Sequence, residues 1–135
     1  LLLNHLPGGR AKDAQPPWRD RREERGMAGE VETIGLDALD WDEQLDGIRL
    51  KTVRAADGTT WNRVSYAAGA VRHDVWCEKG HRGFVLDGTM SYEYQDGETC
   101  SISAGNGFIV SAGRAHRGHN RSDALAEFVM IDDAA

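Results

Sequence analysis

Between His73 and Gly88 the chain reads HDVWCEKGHRGFVLDG, which brings a thiol (Cys77), two imidazoles (His73 and His81) and acidic side chains into the approach to an apolar run that closes on Asp-Gly. Thiolate sulfur and imidazole nitrogen are the donors that hold zinc and the softer first-row metals, whereas Mg²⁺ and Ca²⁺ prefer oxygen. In a loop that gathers no further donors, the same residues are an ordinary polar surface. The choice depends on what the rest of the chain builds around them. No Ser-His-Asp order, phosphate-cradling glycine loop or nucleic-acid motif offers a competing chemistry.

The 135 residues suit one domain with one hydrophobic core. A formal net charge of -6 argues against broad attraction to nucleic acid or to an anionic membrane. The apolar runs are too short to span a bilayer, and Leu1 to Leu3 lacks the basic leader of a secretory signal. Cys77 and Cys100 can form only one bridge, and reduced thiols in the cytoplasm are the expected state. Residues 1–26 include GGRAKDAQPPWRDRREERG, too charged and too poor in apolar residues to offset its ordering entropy, and read as a disordered tail or a non-native extension. Met27 then reads as the natural start of a single domain over residues 27–135.

From Ile48 onward the hydrophobic period is close to two. Ile48, Leu50 and Thr52, then Val64 and Tyr66, then Met90, Tyr92 and Tyr94 alternate with polar neighbours and predict half-buried strands. Asp-Gly pairs at 46–47, 57–58, 87–88 and 96–97 supply the turns. Phe84 to Leu86, Phe108 to Val110 and Phe128 to Ile131 are continuous apolar runs, expected of strands covered on both faces. One helix is expected in LDALDWDEQL, where Leu36, Leu39 and Leu45 share a face, although its acids are scattered around the turn. The class is all-β, a closed barrel or a sandwich.

With these elements in place, Gly69 to Asn120 resembles the cupin superfamily. Its second motif, Gly-x5-Pro-x-Gly-x2-His-x3-Asn, matches GNGFIVSAGRAHRGHN at Gly105, Gly113, His116 and Asn120, with Ser111 in place of proline. Its first, Gly-x5-His-x-His-x3/4-Glu-x6-Gly, fits Gly69 and Gly88 but holds Val75, Cys77 and His81 at the three ligand positions. The resemblance implies a double-stranded β-helix, a small jelly-roll barrel, and implies that Cys77, His81 and His116 form its inward metal-ligand set. One sulfur and two nitrogens suit Zn²⁺ best, with Fe, Ni or Cu as alternatives, and loss of the glutamate counts against ordinary Fe(II) dioxygen chemistry.

Alternation along a strand puts Val75 and Cys77 on one face and Trp76 and Glu78 on the other. Each ligand candidate also has a plainer reading, as a buried hydrophobe or a hydrogen-bonded core histidine. Candidate substrate-binding residues are His73 as a pocket acid or base, Tyr92 as a stacking wall and Arg114 as a bidentate partner for an anion, against strand end, core packing and solvated surface respectively. His119, three residues past His116, is expected on the opposite face. Two functions follow from the resemblance. One is a metal-dependent enzyme acting on a small polar molecule by Lewis-acid or bound-water chemistry. The other is a metal-free, non-catalytic module that binds or senses a small ligand. The resemblance also implies a homodimer, with residues 30–50 supplying a pairing strand.

Overall fold

A computed structural model gives the architecture of residues 30–134, and the residue 1–26 tail expected from the sequence lies outside that range. Nine strands follow in order among the described residues: β1 (Asp42–Leu45), β2 (Ile48–Arg54), β3 (Thr60–Tyr66), β4 (His81–Asp87), β5 (Thr89–Tyr94), β6 (Thr99–Ser103), β7 (Gly107–Val110), β8 (His116–His119) and β9 (Ala126–Asp132). Six form one sheet in the order β1-β2-β3-β9-β4-β7, and three form another, β6-β5-β8. Every pairing is antiparallel. No helix forms among the described residues, and so none is long and apolar enough to cross a membrane.

The period-two pattern sets which side of each strand is buried. Ile48 on β2, Val64 and Tyr66 on β3, Val85 on β4, Met90 on β5 and Ala126 and Phe128 on β9 meet in one core between the sheets. Burying each of the larger of these side chains is worth about 1.5–3 kcal/mol. The Asp-Gly pairs at 46–47, 57–58 and 96–97 lie in turns between strands, and at 87–88 Asp87 ends β4 while Gly88 makes the bend into β5. At Gly88 the requirement is absolute. Its φ is 73°, and a Cβ there would stand 2.2 Å from the Leu125 carbonyl oxygen.

Two expectations fail for identifiable reasons. Leu36 to Leu39 is a turn rather than the start of a helix, and Asp42–Leu45 pairs with β2. With acids all around the segment no helical face is left to bury, so Leu39 stays 38% exposed and Trp41 instead lies under the cations of Arg49 and Lys51. The second concerns the continuous apolar runs. Their inner residues enter the core, but among the described residues nothing fully covers the outer face of β4 and β7, where Phe84 is 46%, Leu86 43% and Ile109 82% exposed.

Asn120, the last position of the second motif, is a fully buried pin. Its amide nitrogen donates among the carbonyls of Tyr66, Ala67 and Ala124, and its oxygen accepts from the Ser122 backbone and hydroxyl. It ties the end of β8 to the end of β3 and to the turn before β9, and so fixes where β8 presents His116.

Candidate metal centre

The connection between β3 and β4 carries Cys77 to the site without becoming a regular strand. Two isolated bridges hold it, Val71 opposite His119 and Cys77 opposite His116. In the second, the Cys77 N–H donates to the His116 carbonyl at 2.8 Å and the His116 N–H to the Cys77 carbonyl at 2.9 Å, which sets the two side chains side by side. His81 enters from the first position of β4, on the inward parity shared with Val85. Val75 and Cys77 both line the inner cavity, as alternation predicts, while Trp76 turns outward under Arg117.

The donor atoms of Cys77, His81 and His116 lie within 4.8 Å of one another. Cys77 Sγ is 3.5 Å from His81 Nε2, and the Lys79 backbone N–H points at the sulfur from 3.4 Å. Donors around a tetrahedral zinc are spaced roughly 3.5 Å apart, given the usual bond lengths, so small side-chain shifts close the set on an ion.

His116 is the informative member. Its Nδ1 is 2.7 Å from the Arg114 carbonyl oxygen, which can only accept, so Nδ1 carries the proton and Nε2 carries a lone pair. That Nε2 is the buried side-chain polar atom without a hydrogen-bond partner among the described residues. Burial holds the His116 pKa below the usual histidine value, with His81 adding to the same effect, against the backbone groups of Arg114 and Lys79, which pull it up; the Lys79 group is close enough to act on the ring but does not make a hydrogen bond to Nε2. A neutral imidazole with an unused lone pair beside a thiol and a second imidazole is a donor set of the kind that could hold a cation.

Tyr92 closes the site from β5. Its ring lies 6.5 Å from that of His81 and 6.0 Å from that of His116, and burial pushes its phenol well above the usual tyrosine range, so the hydroxyl stays protonated. It bounds a cavity of about 300 Å³ between the sheets, lined mainly by Leu50, Val64, Tyr66, Phe128 and Met130 in addition to the three donors. Burial likewise raises Tyr66, to about 12. On the far side of His81 an outer groove of about 680 Å³ runs past Arg54, Lys79 and Arg82.

The structure thus brings Cys77, His81, His116 and Tyr92 together and leaves His73 and Arg114 outside the cavity lining. His73 is exposed beside Asp46 and Gly47. The Arg114 side chain lies over Tyr94 and pairs with Asp96 and Glu98, and only its backbone carbonyl reaches the site, through His116. His119 takes the outer face, bonded to Glu93 at 2.6 Å. Glu78 is exposed toward the outer groove.

One residue escaped the sequence reading. Asp132, at the end of β9, places Oδ1 2.6 Å from His81 Nδ1. The apolar run was read as ending at Ile131, but Asp132 shares inward parity with Phe128 and Met130, and that alternation was the available signal.

With fold and donors established, the comparisons with known proteins assign the class. Residues 64–132 match the family described as cupin domain, and the chain belongs to it. Among solved structures it is similar to KdgF from Halomonas sp., at 21% identity over 72% of this chain and 88% of that one, with a TM-score of 0.57. The polyketide cyclase RemF from Streptomyces resistomycificus superposes with a TM-score of 0.66 at 13% identity, covering 78% and 81% of the two chains. A sugar phosphate isomerase of the cupin superfamily from Silicibacter pomeroyi gives 0.60 at 18% identity, covering 77% and 76%. At these identities the likeness is one of fold. No curated protein matches the sequence.

Proposed function

We propose that this cupin binds a divalent transition metal, zinc foremost, through Cys77 Sγ, His81 Nε2 and His116 Nε2, on the jelly-roll barrel its two sheets make, and that the adjoining cavity receives a small molecule. The observation that carries this reading is the orphaned, buried, neutral Nε2 of His116 facing a thiol and a second imidazole. Such an ion supplies Lewis-acid chemistry at a position the protein leaves open to a ligand. The chain's own residues do the rest. Tyr92 offers a protonated phenol beside the donors, while Val64, Phe128 and Met130 exclude water around the apolar part of a bound molecule. Similar folds include proteins named as a cyclase and an isomerase, which supports a small organic substrate.

The test is elemental analysis of untagged protein purified without chelators. Near-stoichiometric zinc, iron, nickel or copper supports the reading. No metal, with none taken up on titration, favours a non-catalytic module that holds a small ligand in the same cavity, a second reading consistent with its mainly apolar lining. We place a homodimer contact on the outer face of β3, β9, β4 and β7. There a shallow groove of about 780 Å³ runs beside the projecting Ile109, an apolar surface that a second copy could cover.

A further inference from the structure

His81 has one ring nitrogen for an ion and another that decides whether the first is available. Its Nδ1 is 2.6 Å from Asp132 Oδ1, and a carboxylate at that distance accepts the proton-bearing nitrogen. The proton therefore sits on Nδ1, and the Nε2 lone pair points at the space shared with Cys77 Sγ and His116 Nε2. The arrangement repeats at His116, where the Arg114 carbonyl accepts from Nδ1. Both imidazoles are thus anchored by one nitrogen and present the other, but only at His81 does the anchor carry charge.

The fold makes this contact deliberate. Asp132 ends β9 opposite Thr60 on β3, while Arg82, next to His81, pairs with Ile131, so the same antiparallel register sets Asp132 directly across from His81. The inward alternation Phe128, Met130, Asp132 brings the carboxylate to the end of the cavity, where it also borders the outer groove in which Asp133 pairs with Arg82. The His81 side chain is 9% exposed and that of Asp132 29%, so the imidazole is held in a dry setting while the carboxylate keeps partial hydration. Charge completes the case. A dication, the Cys77 thiolate and the Asp132 carboxylate sum to zero around two neutral imidazoles.

We propose that Asp132 is the positioning residue of this site: it fixes the tautomer and ring orientation of His81 and balances the charge of the bound ion without touching it. The inference rests on the metal reading above. Loss of such an outer partner weakens metal binding by about 10–100-fold.

The experiment uses full-length protein and Co²⁺ as the probe, with affinity read by chelator competition and geometry by the sulfur-to-cobalt and ligand-field absorption bands. Long-range proton–nitrogen spectra of the metal-free protein report the His81 tautomer directly. Asp132→Ala is expected to lower Co²⁺ affinity about 10–100-fold, to shift the ligand-field bands and to release His81 from the Nδ1-protonated form, with Asp132→Glu recovering part of each. Asp132→Asn preserves shape should the alanine variant unfold, and is expected to lose affinity through the missing charge. If the wild type binds Co²⁺ and the folded variants bind it within twofold of wild type, the positioning role is overturned while the metal site stands. If the wild type binds none, the metal reading falls and takes the inference with it.

Discussion

At the scale of single residues, the proposed metal site divides labour between atoms that would face an ion and atoms that hold them. Cys77→Ala and His116→Ala each remove a donor while leaving most of the core intact, so each is expected to cost more than the roughly 100-fold that an outer partner is worth, with an unchanged circular dichroism spectrum. Collapse of the fold in both would make the two residues core elements instead. A different prediction concerns the outer face. Burial alone would raise Glu93, but hydrogen bonds from His119 and Arg117 win and hold it below the usual glutamate value of 4.5. A carboxylate depressed on folding adds stability that is fully present above that value and is lost as pH falls through the folded one. Urea midpoints measured from pH 7 to pH 3 are therefore expected to fall more steeply in acid for the wild type than for Glu93→Gln. Parallel curves would show that the cluster contributes nothing. Of the site itself, the three donors were legible through their motif spacing, and Tyr92 through its strand parity. Arg114 was not, because what it contributes is a carbonyl, which no side-chain identity announces.

At the scale of elements, the strands were legible wherever apolar and polar residues alternate in sequence. β2, β3 and β5 do so and each is bounded by an Asp-Gly turn, although both faces of β3 and β5 are at least partly covered. The segment before β1 misled because leucines at helical spacing also suit a turn followed by a short edge strand, and the acids between them decide the matter. The placement of His73 was illegible for another reason: the connection holding it touches the sheets at only two bridges, so parity does not propagate through it. Asn120 shows how much one residue can hold among such connections. Asn120→Ala strands three carbonyls and a serine cap, and a loss of about 2–3 kcal/mol is expected from the buried groups left unpaired. Chemical denaturation of the metal-free protein measures it. A change below about 0.5 kcal/mol, the usual range for surface substitutions, would mean that water replaces the amide without penalty.

At the scale of the whole molecule, the two sheets are unequally clothed. The inner faces share one core, whereas the outer face of the larger sheet exposes an apolar strip that a solitary domain seldom carries. Ile109→Asp sets a charge on its most prominent point. The wild type is expected to run as a dimer in light scattering and the variant as a monomer, with metal content unaffected. A monomeric wild type at high concentration would assign the strip to some other contact.

The bridge between Cys77 and His116 has a consequence in polymer terms. The long connection from β3 to β4 is a loop whose freedom is curtailed where it touches β8 and at a few bonds to neighbouring turns, and closing a loop costs entropy that rises slowly with its length. An ion held by side chains at that same contact is a cross-link, one that spares the chain the cost of holding the loop shut by backbone bonds alone. On the proposed metal reading, order in the connection and occupancy of the site are then coupled: loosening the loop weakens the hold on the ion, and removing the ion loosens the loop.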